Sequence, residues 1–255
     1  MIAGDFTVLA DHYSKYRVGY HEDILSSLLG LISSSSTDLD AVDVGAGTGI
    51  WTRMIAARGV QCRAVEPNES MRRAGMASNG EMPIEWLEGS AEKVPLPSGS
   101  CDWVTMASSF HWADFKVALQ EFHRLLRPGG WFTCLWNPRA IEAHPITLDI
   151  ENTIERIVPE LQRKSSGRSK FTSQLAEKLP STGLFTSPVY MEAQFTVEMT
   201  RNQYLGVWDS VNDIRAQAGP ERWKEIRNYI DDRTHGIASI PCVYWTRAWS
   251  CQRVG

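Results

Sequence analysis

The sequence predicts an α/β fold in which helices cover both faces of a seven-stranded, mostly parallel sheet. Short apolar runs suited to buried strands alternate with longer runs whose apolar residues recur at helical spacing. A glycine-rich segment, residues 45–49, joins the first of these strands to the first of these helices. A chain of 255 residues is long enough to bury the core of one such domain.

The glycine segment is the most informative part of the chain. It lies within AVDVGAGTG, residues 41–49, where a buried strand leads into a tight turn, and residues 50–58 then form a predicted helix that Gly59 ends. A strand, a glycine turn and a helix together bring backbone close to a nucleotide-like ligand at the helix N-terminus. Glycines at alternate positions (Gly45, Gly47 and Gly49) leave room for that ligand because they lack a Cβ atom.

Two carboxylates accompany this turn. Glu66 follows a second apolar run, roughly twenty residues after the turn, where a carboxylate can accept hydrogen bonds from ribose hydroxyls. Asp43 lies inside the first strand, where it would repel a pyrophosphate but attract an ammonium group. Ile50 occupies the place of the third glycine of a dinucleotide-binding pattern. A cationic nucleoside is therefore favoured over a dinucleotide, with an NAD(P)-dependent oxidoreductase as the alternative.

The next segments fit the same sheet. Residues 86–92 (WLEGSAE) end a third strand in a polar turn, and residues 102–107 form a fourth predicted strand. The run SSFHW, residues 108–112, follows at the carboxyl end of that strand, where open α/β sheets bind ligands. An amphipathic helix over residues 113–127, a Pro-Gly-Gly turn and a fifth strand over residues 131–136 come next.

With these motifs the chain resembles the class I S-adenosylmethionine-dependent methyltransferases, in particular their small-molecule, type 11-like members. The acidic strand end with G-x-G-x-G, the polar turn, the segment after the fourth strand and the run LRPGG (residues 126–130) carry the resemblance, which covers about residues 10–140. It implies a Rossmann-like fold, S-adenosyl-L-methionine as methyl donor and S-adenosyl-L-homocysteine as product. The cofactor-binding residues that it implies are Tyr16, Arg17, Asp43, Gly45, Ala46, Gly47, Thr48, Gly49, Glu66, Pro67, Ser90, Ala91, Glu92, Ala107, Ser108, Ser109 and Trp112.

The N-terminal segment resembles the Y-x-x-Y-R-x-x-Y opening of small-molecule members, with Tyr13, Tyr16, Arg17 and Tyr20 in the pattern. The resemblance implies a lid over the cofactor in which Arg17 pairs with the methionyl carboxylate, since a guanidinium offers two parallel donors. The alternative is a solvent-facing arginine among core tyrosines.

We expect a single methyltransferase domain over residues 1–255. Residues 1–36 form N-terminal lid helices, residues 37–137 the cofactor-binding core, and residues 138–170 and 199–236 a helical substrate cap. The cap comes from insertions after strand 5 and between strands 6 and 7. The second insertion is long for a connection, which suggests a functional role. Within it we expect helices over residues 204–218 and 221–230, separated at Gly219-Pro220.

The resemblance also implies the chemistry, an SN2 transfer to an acceptor held in line with an electrophilic sulfonium methyl. A protonated acceptor would need a base, for which His111 is the best-placed candidate. The alternative is that His111 only lines the pocket beside Phe110 and Trp112. Candidate substrate contacts are Trp136 and Asn137 after strand 5, Arg168 in the basic run of residues 163–170, and Trp208 among the cap aromatics. They would suit an anionic or aromatic small molecule; a solvated loop and core packing are the alternatives for the last two.

The amino-acid composition limits the kinds of molecule that we expect the protein to bind. A net charge of −4 argues against a nucleic-acid substrate, because a basic stripe is the usual sign of one. The five cysteines are scattered without C-x-x-C spacing, so we expect buried free thiols and no metal site. No signal peptide or membrane-length apolar run is evident, and we expect a cytoplasmic protein without membrane partners. A non-catalytic cofactor-binding member of the family is a further alternative.

Overall fold

The computed structural model describes residues 15–32, 38–163 and 170–255. Within them lies a seven-stranded sheet in the order β3-β2-β1-β4-β5-β7-β6. Strands β1 to β5 are parallel to their neighbours, while β7 pairs antiparallel with both β5 and β6. The strands are β1 Asp40–Val44, β2 Gln61–Val65, β3 Glu85–Leu87, β4 Cys101–Ala107, β5 Leu126–Trp136, β6 Val189–Thr200 and β7 Ser239–Gln252. The predicted α/β fold with a mostly parallel sheet is therefore confirmed.

Helices connect these strands and cover the sheet. They are α1 Glu22–Ile32, α2 Ile50–Ala56, α3 Glu69–Ala77, α4 Phe115–Leu125, α5 Pro145–Ile157, α6 Lys170–Ser173, α7 Leu175–Lys178, α8 Arg201–Asp209 and α9 Asn212–Arg233. Short 3₁₀ turns occupy Phe110–Trp112, Ile141–Ala143 and Pro180–Thr182. The N-terminus of α3 is fixed because the Asn68 side chain accepts from the Met71 N–H at 3.1 Å. Asp114 caps α4 in the same way, accepting from the N–H groups of Lys116 and Val117. These caps start the helices just beyond the carboxyl ends of β2 and β4.

The buried apolar residues form three clusters. Phe110, Phe122 and other residues of α4, β4 and β5 fill one face of the sheet. Leu25 and Trp51 belong to a second cluster, which packs α1 and α2 against the opposite face. A third cluster, which includes Ile214, joins α5, α8 and α9 to β6 and β7. Residues of the two insertions, 138–170 and 199–236, therefore share one apolar cluster.

Two local features differ from the sequence prediction. Strand β5 begins at Leu126 rather than residue 131, because the pairing of β4 with β5 shifts register between Cys101 and Trp103. Gly130 allows this irregular approach, since a Cβ atom there would lie 2.9 Å from the Asp102 carbonyl oxygen. The expected helix over residues 204–218 is broken at Ser210, whose Oγ donates to the Val207 carbonyl oxygen at 2.6 Å.

Other sequence expectations can be compared directly. All five cysteines are buried and unpaired, as predicted. Helix α9 runs across Gly219 and Pro220, but Gly219 has φ 73° and ψ 174°, so the predicted break is present as a kink. Over the described ranges, no helix combines the length and apolar character needed to cross a bilayer. The same residues contain no cluster of three or more His, Cys, Asp or Glu side chains suited to hold a metal ion.

Candidate functional site

A cavity of about 290 Å³ lies at the carboxyl ends of β1, β2 and β4. Its size is near the lower end of the range for small-molecule sites, about 300–1,000 Å³. Strand β1 lies between β2 and β4, so the chain crosses to opposite sides of the sheet at this point. Ligands of open α/β sheets bind at such a switch point.

The glycine turn forms one wall of the cavity. Gly45 has φ 64°, and a Cβ atom there would lie 2.8 Å from the Ser109 Oγ atom. The backbone N–H of Ala46 donates to the Val65 carbonyl oxygen at 3.1 Å, which ties the turn to the end of β2. Any larger residue at position 45 would therefore push the turn away from the loop that follows β4.

Glu66 lies beside this turn and is 7% exposed. Its Oε2 atom accepts from the Gly47 N–H at 2.8 Å, and its Oε1 atom accepts from the Asn68 N–H at 2.9 Å. Burial raises the pKa of Glu66, while these two backbone bonds oppose the rise. Each carboxylate oxygen keeps a second acceptor position, so Glu66 can still bind ligand hydroxyls.

Asp43 lies beneath the turn, does not line the cavity and is 2% exposed. Its Oδ2 atom accepts from Thr52 Oγ1 at 2.6 Å, and its Oδ1 atom accepts from Thr105 Oγ1 at 2.9 Å. Burial raises the pKa of Asp43 from 3.8 to about 7, and the hydroxyl donors only partly oppose it. A cation bound above the turn would favour the ionised form.

The segment after β4 forms another wall. Ser108 has φ 55°, an uncommon conformation for a residue other than glycine. Its Oγ atom lies 2.9 Å from the Tyr20 hydroxyl oxygen, which brings the N-terminal segment across the cavity. Ser109 donates to the Val44 carbonyl oxygen at 3.3 Å, so this segment is also fixed to the end of β1. The strained backbone therefore lies where two parts of the chain meet the cavity.

The surroundings of His111 control the protonation of its ring. Its Nδ1 atom accepts from Trp136 Nε1 at 3.3 Å, which assigns the proton of the neutral ring to Nε2. Burial lowers the pKa of His111 from 6.5 to about 4, although Asp213 opposes the fall. The Nε2 atom is buried without a hydrogen-bond partner among the described residues. This geometry favours a neutral hydrogen-bond donor over a general base.

The N-terminal segment reaches both the cavity and the cap. Arg17 lines the cavity and donates from Nη2 to the Ser210 carbonyl oxygen at 3.2 Å. Tyr16 does not line the cavity; its ring packs so closely on Gly206 that a Cβ atom there would lie 2.4 Å from Tyr16 Cδ2. Tyr13 lies outside the described residues. The predicted pairing of Arg17 with a cofactor carboxylate stays a prediction.

Most of the sequence-predicted site residues share this one cavity. Those that line it are Arg17, Gly45, Ala46, Gly47, Thr48, Glu66, Pro67, Ser90, Ala91, Glu92, Ala107, Ser108, Ser109, Trp112 and Asn137. The predicted residues that do not line it are Tyr16, Asp43, Gly49, His111, Trp136 and Trp208. Arg168 lies outside the described residues. The cavity therefore brings together predicted cofactor contacts from five separate segments of the chain.

The sequence reasoning missed several lining residues. These are Val18, Tyr20, Ile50, Trp51, Asn68, Met71, Met106, Ala113 and Asn212. Two had a readable signal: Tyr20 belongs to the tyrosine pattern of the N-terminal segment, and Asn68 follows Glu66 at the start of a helix. Asn212 had none, because only the folding of the second insertion places it here.

The predicted substrate residues Trp136 and Trp208 are both fully buried. The Nε1 atom of Trp136 donates to His111 Nδ1. Trp208 lies under the guanidinium group of Arg139, whose Cζ atom is 4.0 Å from the ring centroid. Neither tryptophan presents its ring to the cavity.

Comparisons with known proteins agree with this fold and site. Residues 42–134 match a family model described as a methyltransferase domain. The ubiquinone/menaquinone biosynthesis C-methyltransferase of Rubrivivax gelatinosus is 39% identical over 95 residues, which are 37% of this chain and 38% of that protein. The first matching relatives are thus covered over about two fifths of their own length.

Two longer matches extend over most of the chain. An uncharacterized methyltransferase-like protein of Schizosaccharomyces pombe is 31% identical over 221 residues, 83% of this chain and 81% of that protein. The solved structure of a candidate type II methyltransferase from Anaeromyxobacter dehalogenans has a TM-score of 0.66 at 18% identity and covers 92% of this chain and 97% of its own. The fold is thus the Rossmann-like fold of class I methyltransferases. The chain belongs to the methyltransferase family.

Proposed function

We propose that the protein transfers a methyl group from S-adenosylmethionine to a small-molecule acceptor. The observation that carries the proposal is the cavity at the glycine turn, with Glu66 at its edge and Asp43 beneath its floor. A C-methyltransferase of quinone biosynthesis among the relatives supports an acceptor of small size. The negative net charge also supports a small-molecule acceptor, because a nucleic-acid substrate is usually accompanied by a basic surface.

The residues present fit such a cofactor. The turn leaves space against the backbone because Gly45 and Gly47 lack side chains, and Glu66 keeps acceptor positions for ribose hydroxyls. Asp43 supplies negative charge under the turn for an ammonium group, whereas a pyrophosphate would meet repulsion there. Arg17, with several donors at the cavity, can hold a carboxylate. We propose the polar turn at Ser90, Ala91 and Glu92 as the border of the adenine ring.

The cofactor, when bound, supplies an electrophilic methyl group, so the protein's task is to position the acceptor. In-line positioning can contribute roughly 7–11 kcal/mol to lowering a barrier. Tyr20 and Ser108 hold the N-terminal segment over the cavity, which helps to exclude water and strengthens polar contacts inside. We further propose that residues 1–255 act as one domain whose cap covers the acceptor.

A labelling experiment tests the proposal. The protein is incubated with S-adenosylmethionine carrying a labelled methyl group and with a cell extract separated into ultrafiltrate and macromolecules. We expect protein-dependent label in the ultrafiltrate, and none with Gly45→Val, whose side chain would collide with Ser109. Label found only on protein or nucleic acid would contradict the small-molecule acceptor. Absence of label from every fraction would favour a non-catalytic role.

A further inference from the structure

Asn137 lines the cavity directly after the end of β5. The carboxyl ends of the parallel strands lie side by side in the order β3, β2, β1, β4 and β5. Adjacent strands are about 4.8 Å apart, so the end of β5 lies roughly 10 Å from the end of β1 and roughly 19 Å from the end of β3. Ser108 follows β4 in the same way, and the part of the cavity between Ser108 and Asn137 is its β5 end.

The proposed cofactor occupies the ends of the other strands. Its adenine ring is assigned to Ser90 after β3, its ribose to Glu66 after β2 and its amino-acid part to the glycine turn after β1. Arg17, which would hold its carboxylate, lies beside α2, because Arg17 also borders a surface groove with Arg53 and Met54 of that helix. The β5 end is therefore left for the acceptor.

Hydrogen bonds fix the orientation of the Asn137 amide. The Thr246 hydroxyl accepts from the His21 N–H at 2.9 Å, so its own proton donates to Asn137 Oδ1. Asn137 Nδ2 donates to the Gly19 carbonyl oxygen at 2.7 Å. Turning the amide over would place its oxygen against that carbonyl oxygen and lose both bonds.

One N–H group of this amide remains for a ligand. An amide nitrogen carries two N–H groups, and Asn137 Nδ2 uses one of them on Gly19. In the described part of the chain, no second acceptor lies within hydrogen-bond distance of Nδ2. Gly19 lies between Val18 and Tyr20, which both line the cavity, so the amide is part of the cavity wall.

The other polar side chains at the β5 end carry no charge. The Tyr20 hydroxyl oxygen lies 2.9 Å from Ser108 Oγ, and Asn212 adds a second amide from the cap. Uncharged hydroxyl and amide groups are suited to bind oxygens of an uncharged ligand.

The charges around the cavity favour the same class of ligand. Among the described residues that line it, Glu66 and Glu92 outnumber Arg17, which leaves one net negative charge. The proposed methyl donor carries one net positive charge, since its sulfonium and ammonium groups exceed its single carboxylate, and so cancels it. Asp43 lies beneath the glycine turn, where the ammonium group is assigned, and not at the β5 end. An anionic acceptor would therefore lack a counter-charge.

We propose that the second N–H group of Asn137 donates to a carbonyl or hydroxyl oxygen of an uncharged acceptor molecule. This inference rests on the proposed methyl transfer and deepens it by assigning a substrate class. The bond holds one oxygen of the acceptor at a fixed place beside the cofactor, which orients the atom to be methylated. Asn137 is thus a specificity residue, and the anionic acceptor suggested by the basic run of residues 163–170 is replaced by an uncharged one.

The charge of the methylated product tests the substrate class. The protein is incubated with S-adenosylmethionine carrying a labelled methyl group and with the ultrafiltrate of a cell extract, and the products pass over an anion exchanger and a cation exchanger at pH 7. An uncharged acceptor that releases a proton on methylation gives an uncharged product. We therefore expect protein-dependent label in the flow-through of both columns. If most of that label is retained on the columns, the inference is overturned.

Variants test the role of Asn137. Asn137→Ala removes the free N–H and the bond to Gly19, whereas Thr246→Val loosens the same segment but keeps both N–H groups. We expect Asn137→Ala to need about fivefold more ultrafiltrate than Thr246→Val for half-maximal rate, as for one lost neutral hydrogen bond, at a similar maximal rate. Asn137→Asp keeps the size of the side chain but cannot donate, so it should behave like Asn137→Ala. Equal requirements in all three variants would show that Asn137 only holds the segment, which overturns its assignment.

The matched control is Asn152→Ala, which removes an exposed amide of α5 outside the cavity lining and should behave like the wild type. Asn137→Ala and Thr246→Val should bind S-adenosylhomocysteine equally well. A tenfold weaker affinity in Asn137→Ala than in Thr246→Val would assign the N–H group to the cofactor and overturn the inference.

The two proposals fail in different ways. Absence of label from every fraction would overturn the proposed function, and this inference with it. Protein-dependent label that is retained on the columns would leave the methyl transfer intact and overturn only the assignment of the acceptor.

Discussion

At the scale of single residues, the ionised form of Asp43 lowers the stability of the fold. Burial raises its pKa from 3.8 to about 7, so the folded protein holds a proton that the unfolded chain releases. The associated stability is fully present below about pH 4 and is lost as the pH rises towards about 7. A buried carboxylate with this effect is understandable if it faces a bound cation.

Replacing the Asp43 carboxylate separates its effect on the stability of the fold from its expected effect on cofactor binding. In Asp43→Asn the ionisation penalty disappears, so we expect a melting temperature at pH 8 equal to or above that of the wild type. Affinity for S-adenosylhomocysteine should fall about tenfold or more, because the ammonium loses its counter-charge. Wild-type affinity should rise with pH through about 7, and that rise should be absent from the variant. Thermal unfolding and calorimetry measure both.

The exposed pair of Asp149 and Arg233 offers the control, because Asp149→Asn removes a surface carboxylate that does not line the cavity. It should leave cofactor affinity unchanged. A wild-type affinity independent of pH, or normal affinity in Asp43→Asn, would contradict the role given to Asp43.

Among the elements, the glycine turn could be predicted well and the cap helices only in part. The turn over residues 45–49 could be predicted from the local sequence. Each glycine affects the conformation of its own backbone, and the turn comes directly after the first strand. The break at Ser210 had no such signal, since it depends on one hydroxyl that bonds to the preceding helical turn. By contrast, the kink at Gly219 and Pro220 was predictable from the sequence.

Two glycines with positive φ test the close approach at the turn. Gly45 has φ 64° and a Cβ position 2.8 Å from Ser109 Oγ, whereas Gly59 has φ 82° and nothing within 4 Å. Alanine at either site should destabilise the fold by about 1 kcal/mol or more through backbone strain. Only Gly45→Ala should add a steric loss and weaken binding of S-adenosylhomocysteine.

Chemical denaturation gives the stability of both variants, and calorimetry gives the affinity. Equal effects of the two substitutions on affinity would show that strain alone, rather than contact with Ser109, governs the turn.

For the molecule as a whole, distant parts of the chain close the site. Asn137 at the end of β5 donates to the Gly19 carbonyl oxygen at 2.7 Å and accepts from Thr246 Oγ1 of β7. The same Thr246 oxygen accepts from the His21 N–H at 2.9 Å. The N-terminal segment is thus fastened over the cavity by residues at the end of β5 and in β7.

The cofactor half could be predicted from the sequence because its residues follow strand ends in regular order. The remaining lining could not be predicted in this way, since Asn212 reaches the cavity only when the second insertion folds. The stacking of the Arg139 guanidinium group on the Trp208 ring likewise links residues 69 positions apart. Long-range packing of this kind leaves no local pattern.

Calorimetric titration of the purified protein with S-adenosylhomocysteine, and separately with NADH, tests the central claim most directly. The glycine turn, Glu66 and Asp43 predict saturable binding of the sulfur nucleoside at one site per chain and no binding of the dinucleotide. Saturable binding of NADH without binding of S-adenosylhomocysteine would contradict the account.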